Sequence, residues 1–134
     1  VTGVQTCALP ICNATVEKIL TENGYTMQKI SNIVYLYTKS TADNSRTSKL
    51  RIVYDKSGNI DKSEVEMFIE SENDIPALEN LLKVFCKTQN TDEFISAVRK
   101  QLDGENANAK LTLDNGQLLR LGTSGGYTEV HTSR

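Results

Sequence analysis

The residues with the clearest potential for chemistry lie in one stretch of the sequence, DKSGNIDKSEVE. Its oxygen-bearing side chains include Asp55, Asn59, Asp61 and Glu66, which stand at positions 1, 5, 7 and 12 of EF-hand-like calcium-loop spacing. Two features count against a calcium site. The sixth position, where the sharp turn needs glycine, is Ile60, and both flanks alternate like strands and not like helices. We therefore interpret the stretch as a hairpin turn and predict no metal site.

The other potentially reactive side chains stand alone in the sequence. His131 is the single histidine and follows a Gly-Ser-rich stretch, and Cys86 lies at the end of an amphipathic segment. A catalytic base must be held within hydrogen-bond reach of its substrate, and nothing local fixes His131 in this way. We interpret His131 as an exposed titrating side chain and Cys86 as a small buried hydrophobe. The sequence predicts no catalytic residue and no cofactor, and it favours a non-enzymatic protein over an enzyme.

Two further patterns have ordinary structural explanations. Glu64, Glu66 and Glu70 face away from the apolar residues with which they alternate, which is typical of the solvated face of a strand. The GTSGG stretch, residues 122–126, contains enough glycine to hold an anion. A phosphate-binding loop should open a helix, however, and the following YTEVH has no helical pattern. We interpret this stretch as a linker.

Tyr35 and Tyr37 supply the candidate partner surface. They share one side of a predicted strand, and the alternate positions, Val34 and Leu36, are apolar as well. A strand that is apolar on both sides is either buried on both sides or exposes a contact surface. Tyrosine rings suit both situations, because they combine apolar area with a hydroxyl that can bind a protein or a glycan. We favour burial of the two rings and retain the partner surface as an alternative.

Composition excludes several classes of function. Lys and Arg total 15 against 17 for Asp and Glu, a net charge of −2, so no strong field attracts nucleic acid or an anionic membrane. We expect no nucleic-acid partner. No apolar run reaches the roughly 20 residues of a membrane helix, so we expect no membrane span. Of the 3 cysteines, Cys86 alone lies beyond residue 12, which leaves no disulfide or zinc framework.

The opening VTGVQTCALPI has no helical or strand period and no basic residue that would suit a signal peptide. Across residues 1–11 it closely resembles the translation of a sequencing adapter, and Cys12 fits a codon that joins adapter and genome. This resemblance implies that residues 1–12 are an artefact without a structural role and that the natural upstream codons are missing. Cellular location is therefore open between cytoplasmic and extracytoplasmic.

The remaining chain predicts one domain over residues 13–122. Its apolar periodicity indicates, in order, a helix, four strands, two helices and two or three strands. Like elements occur in runs, which predicts an α+β fold. We expect an antiparallel sheet of about five to seven strands, with the N-terminal helix and the central helix pair packed on one face. We expect residues 123–134 to form a flexible tail or an edge strand. The order loosely resembles the cystatin and NTF2-like architectures.

These observations predict a non-enzymatic binding or structural module of bacterial, metagenomic origin that acts through the sheet surface near Tyr35 and Tyr37. Two alternatives stay open. One is an NTF2-like or cystatin-like pocket protein or small enzyme, whose cavity would lie between helix and curved sheet. A core without inward-pointing polar groups would argue against it. The other is an extracytoplasmic accessory domain whose export signal is missing.

Overall fold

A computed structural model describes residues 9–87 and 89–132, with side chains described from residue 14 onward. The strands are β1 (Thr26–Lys29), β2 (Val34–Ser40), β3 (Thr47–Tyr54), β4 (Ile60–Ile69), β5 (Lys110–Thr112), β6 (Leu118–Ser124) and β7 (Tyr127–Thr132). They form one antiparallel sheet in the order β1-β2-β3-β4-β7-β6-β5. The predicted α+β fold and antiparallel sheet are confirmed.

Three helices accompany the sheet: α1 (Leu9–Glu22), α2 (Ile75–Phe85) and α3 (Asp92–Leu102). The expectation that residues 1–12 have no structural role is wrong for residues 9–12, which are helical and belong to α1, and residues 1–8 lie outside the described residues. Helix α2 buries the apolar stripe that its sequence predicts, and α3 does the same. Both stripes join one core cluster with side chains from the sheet, so the helices cover a single face, which we call the inner face.

Directly opposite residues on neighbouring strands share a face, and this register defines the core. The inner-face rows include Tyr37, Leu50 and Val65, and then Met67, Val130 and Leu121. All six side chains are buried. Buried apolar area is the main stabilising contribution to such a domain, and here it joins all three helices to the sheet.

The turn before β4 and the turn before β6 have the same backbone geometry. Asp55 N–H donates to the Asn59 carbonyl at 2.8 Å, and Leu113 N–H donates to the Gln117 carbonyl at 2.8 Å. The Asn115-Gly116 pair predicts a two-residue turn, but the loop spans residues 114–116. The two-residue type I′ turn needs positive φ at both central residues. Gly116 has φ +89°. Asn115 does not have a positive φ, because Asn44 is the sole non-glycine residue of the described chain that does, and a type I′ turn is therefore ruled out.

Strand β7 corrects the prediction of a flexible tail or edge strand for residues 123–134, as far as Thr132. It lies inside the sheet, between β4 and β6. Ser124 pairs with Tyr127, and Gly125 and Gly126 between them have φ +57° and +86°. Two consecutive positive φ values define the tight turn that matches strand twist. The glycines of GTSGG therefore close a hairpin and are not a linker.

Candidate functional site: the open face of the sheet

The face of the sheet opposite the core cluster carries mostly charged and half-buried residues, and we call it the open face. Its longest row of directly opposite residues is Thr26, Thr38, Lys49, Glu66, His131, Arg120 and Lys110. None of the helices in the described part of the chain contributes its buried stripe to this face. A sheet face of this size without a covering layer is available to a partner or ligand.

One end of the open face is apolar. Val34 and Val53 lie directly opposite each other, and Leu36 follows two residues along β2. All three are half-buried. The adjoining turn between β1 and β2 adds Ile30, 51% exposed, and Ile33, 41% exposed. We call these five residues the apolar patch. Ile30 and Ile33 are the exposed large hydrophobic residues of the described chain.

Basic side chains border the apolar patch. Arg51 lies directly opposite Leu36, and Lys62 lies directly opposite Val53. Arg51 Nη1 contacts Glu64 Oε1 at 3.4 Å. Both partners are exposed, so solvent screens this ion pair and it contributes little to stability. The patch therefore has a cationic border on the side toward the centre of the sheet.

The centre of the open face forms a groove of about 690 Å³, lined by side chains of both signs. Glu129 and His131 lie at its floor on β7, with 3.5 Å between Glu129 Oε1 and His131 Nδ1. Burial raises the pKa of Glu129, and the nearby His131 opposes that change. The sequence interpretation of His131 as a tail residue is corrected, because β7 is a central strand. The His131 Nδ1 is buried, and no group in the described part of the chain forms a hydrogen bond with it.

The other end of the open face is closed by the loop between β2 and β3. Asp43 accepts hydrogen bonds from the hydroxyls of Thr41 at 2.8 Å, Ser45 at 2.7 Å and Tyr127 at 2.5 Å. These bonds hold the pKa of Asp43 well below its usual range. The Tyr127 ring meets the buried Phe68 ring edge-on at 5.9 Å. The loop therefore covers Phe68, which no sequence pattern indicated.

The candidate calcium ligands are not brought together. Asp55 Oδ1 accepts from the backbone N–H of Ser57 at 2.8 Å and of Asn59 at 3.0 Å, which fixes the turn. Asp61 is exposed at the start of β4, and Glu66 lies on the open face opposite Lys49. In the described part of the chain no three acidic, histidine or cysteine side chains cluster as metal ligands would. The Asp55 carboxylate acts as a turn residue.

Tyr35 and Tyr37 lie in the core, 6% and 0% exposed. The favoured burial of the two rings is confirmed, and the alternative partner surface cannot include the rings, because both project onto the inner face beneath the helices. Cys86 is buried as predicted, and burial raises the pKa of its thiol to about 11. A thiol with so high a pKa is a poor nucleophile at neutral pH.

Among the described residues, two hydroxyls of the core are left without a hydrogen bond. The hydroxyls of Tyr37 and Tyr54 are buried, and no described residue forms a hydrogen bond with them. An unsatisfied buried hydroxyl costs about 1–3 kcal/mol, a large fraction of the stability of a domain of this size. The sequence could not reveal this feature, since it depends on which side of each strand faces the helices.

A smaller cavity of about 270 Å³ lies where α2 ends beside the two similar turns. Ile60, Phe85 and Leu113 contribute to its wall. Its one acidic group, Asp114, already accepts a hydrogen bond from the backbone N–H of Lys87 at 2.9 Å. This cavity offers no cluster of free polar groups, and the open face remains the candidate site.

The fold and the site define a class of small α+β protein with one seven-stranded antiparallel sheet and an open face. No protein-family model matches the chain, and comparisons with curated proteins and with solved structures found no similar protein. None of the described helices has the length and apolar character needed to cross a membrane. The site must therefore be interpreted from its own geometry.

Proposed function

We propose that this protein is a non-enzymatic binding module that docks another protein on the apolar patch. The observation that carries the proposal is the use of apolar residues on both sides of β2. Tyr35 and Tyr37 supply the core, while Val34 and Leu36 on the other side stay half-exposed. Burial of a partner against the patch would remove this apolar surface from water, which is favourable by roughly 25 cal/mol per Å².

Charge defines the chemistry of the partner. Arg51 and Lys62 lie beside the apolar patch, and Lys49 follows on the next row. Protein interfaces commonly combine an apolar centre with a polar rim, and arginine is enriched in them. The partner that fits the apolar patch and its basic border is therefore an apolar segment flanked by Asp or Glu. The opposite charges also favour fast association at low salt.

The reactive side chains of the described chain support binding over catalysis. His131 lies on the open face, and the thiol of Cys86 lies in the core, where it donates to the Thr112 carbonyl at 3.6 Å. A nucleophile and its base must be within hydrogen-bond reach of each other, and these two groups are on different faces of the sheet.

A displayed peptide library selected against the folded protein tests the proposal. We expect the enriched peptides to combine apolar residues with Asp or Glu. The Leu36→Asp variant should weaken their binding at least tenfold, and Lys62→Glu should weaken it mainly at low salt. Thr47→Asp is the matched control, because Thr47 is an exposed residue of β3 that faces the same side outside the patch.

The outcome against the proposal is equally specific. If the selected peptides bind Leu36→Asp as well as the parent protein, or carry no acidic residues, the apolar patch is not the docking site. Thermal unfolding of each variant shows whether the fold persists. Leu36→Ala provides a milder substitution in case the charged residue prevents folding.

Bacterial origin and the extracytoplasmic alternative stay predictions. Sequencing of the source DNA across the codon for Asn13 tests the extracytoplasmic alternative, since it shows which codons precede Asn13 in the source. An encoded export signal would place the binding module outside the cytoplasm, and a plain start codon would exclude that alternative.

A further inference from the structure

Three tyrosine rings converge on the inner face where β2 and β3 pair. Tyr35 lies directly opposite Ile52, and Tyr54 is two residues further along β3. The Tyr35 and Tyr54 rings meet edge-on, with 5.9 Å between centroids. Tyr37 projects from the same face of β2 and is fully buried. The three rings therefore lie on the same face of the β2–β3 pair, and we call them the tyrosine cluster.

The hydroxyls of Tyr37 and Tyr54 differ from the hydroxyl of another buried tyrosine of the core, Tyr25. Tyr25 is also buried, and its hydroxyl forms a hydrogen bond with Ser48. Buried hydroxyls in folded proteins almost always have such a partner. Tyr37 and Tyr54, 0% and 1% exposed, have none in the described chain. Two unsatisfied hydroxyls in one cluster indicate a missing hydrogen-bond partner.

The surroundings of the tyrosine cluster select an uncharged partner. Val16 and Leu20 of α1 are fully buried in the same core, so apolar groups share this interior with the hydroxyls. Burial raises the pKa of Tyr37, and the negative charge of Glu17 on α1 raises it further. The same carboxylate would repel an anion, and an apolar interior would disfavour any ion. Each neutral phenol can both donate and accept a hydrogen bond.

We propose that Tyr37 and Tyr54 bind a small neutral molecule through its oxygen, in the interior between α1 and the sheet. The oxygen belongs either to an internal water molecule or to the hydroxyl of a small aromatic or aliphatic ligand. Either source supplies an uncharged oxygen that accepts a hydrogen bond from one phenol and donates a hydrogen bond to another. This site lies on the face of the sheet opposite the apolar patch, and it does not depend on the proposed docking function.

Phenol and benzene are the probes that distinguish a hydroxyl-specific site from an ordinary apolar gap. Apolar cavities stay dry and take up benzene, whereas the tyrosine cluster should prefer phenol. We expect phenol to raise the thermal unfolding temperature of the full chain more than benzene does at equal concentration. Tyr37→Phe and Tyr54→Phe should abolish this preference, because each removes one oxygen and keeps the ring. Tyr127→Phe, on the open face, is the matched control and should retain the preference.

A crystal structure at high resolution separates the two sources of the oxygen. A water within hydrogen-bond distance of Tyr37 or Tyr54, with no phenol preference, assigns the site to internal water, and both phenylalanine variants should then lower stability. Displacement of that water in crystals grown with phenol assigns it to a ligand. If the density around both hydroxyls is empty and the phenylalanine variants are as stable as the parent or more so, the proposal is overturned. The variants are isosteric, so loss of the fold is not expected, and the crystal structure of the parent protein decides the matter without them.

Discussion

The side-chain amide of Gln117 forms hydrogen bonds with both backbone polar groups of Ser63, as the backbone of a neighbouring strand would. Gln117 Oε1 accepts from Ser63 N–H at 2.7 Å, and Gln117 Nε2 donates to the Ser63 carbonyl at 2.9 Å. The ladder between β4 and β7 extends from Glu66 to Ile69 on β4, so it does not reach Ser63. One amide therefore takes the place of a ladder pair at the point where β4 and β7 separate.

Replacement of Gln117 by Ala should destabilise the protein by about 1–3 kcal/mol, because it leaves a buried N–H without its partner. Gln28→Ala is the matched control, since Gln28 is exposed on the edge strand β1. Urea unfolding followed by circular dichroism measures both changes. Equal free energies of unfolding for the two variants would show that the Gln117 amide is dispensable.

The free energy of unfolding should depend on pH through Asp43, which lies in the loop between β2 and β3. Its hydrogen bonds from Tyr127 and Ser45 hold the pKa of the carboxyl well below its usual range. A carboxyl whose pKa is lower in the folded protein stabilises the fold fully at a pH above its unfolded-state pKa of about 4. This stabilisation is lost as the pH falls from there toward the pKa of the folded protein.

Asp43→Asn should therefore show a smaller loss of stability below about pH 4 than the parent protein does. The urea midpoints at neutral and acidic pH measure this dependence. Asp61→Asn is the control, because Asp61 is an exposed carboxyl outside the network. If Asp43→Asn loses as much stability on acidification as Asp61→Asn, the network does not contribute.

Alkaline pH should unfold the protein through its buried phenols. Burial raises the pKa of Tyr25 to about 12 and raises that of Tyr37 and Tyr54 as well. A raised pKa contributes stability that is complete below the unfolded value of about 10 and is lost as the pH rises toward the folded values.

The 5 tyrosines should consequently not ionise together in the folded protein. We expect an absorbance titration at 295 nm to show an incomplete first phase, followed by a cooperative phase that coincides with loss of circular dichroism. The urea-unfolded protein should titrate in a single phase near pH 10. Complete ionisation of the folded protein near pH 10 would contradict the burial of these rings.

The hairpin turn before β7 should be less tolerant of substitution at Gly125 than at Gly126. Both glycines have positive φ, so either alanine variant should lose about 1 kcal/mol. A Cβ at Gly125 would lie 2.0 Å from Arg46 Nη2, whereas no atom lies within 4 Å of a Cβ at Gly126. Gly125→Ala must therefore also displace Arg46 from the Tyr127 ring, which it now approaches to 5.9 Å.

A double-mutant cycle isolates this contact. We expect Arg46→Ala to reduce the extra cost of Gly125→Ala by at least about 0.5 kcal/mol and to leave Gly126→Ala unchanged. Thermal or urea unfolding of the parent protein, the three single variants and the two double variants provides the free energies. Strict additivity of Arg46→Ala with Gly125→Ala would mean that the guanidinium does not restrict the turn.

The local elements were predictable because their signals lie within a few residues. The stripe on α2, including Leu78, Leu81 and Leu82, repeats with the helical period and is buried in the structure. The Asp55 turn was also predictable, since Asp and Gly favour that backbone locally. The DNGQ stretch indicated a hairpin, but the positions of its hydrogen bonds depended on the strands that it joins.

Local pattern did not decide the core side of the doubly apolar strand β2 or the position of β7. Either side of such a strand can face the core, and pairing with distant residues decides which one does. Val34 and Leu36 could have been buried while Tyr35 and Tyr37 remained exposed. Pairing with β3 beneath the helices fixed the reverse arrangement.

The sequence by itself determined the type and order of the elements, the turn at Asp55 and the absence of a strong net charge. Tertiary structure decided what lies side by side: His131 between Glu66 and Arg120, Gln117 against Ser63, and two phenol hydroxyls enclosed in the core. The physical reason is the distance along the chain over which each kind of signal acts. Periodicity and turn chemistry act over a few residues, whereas burial and strand order depend on contacts between segments that are far apart in the chain.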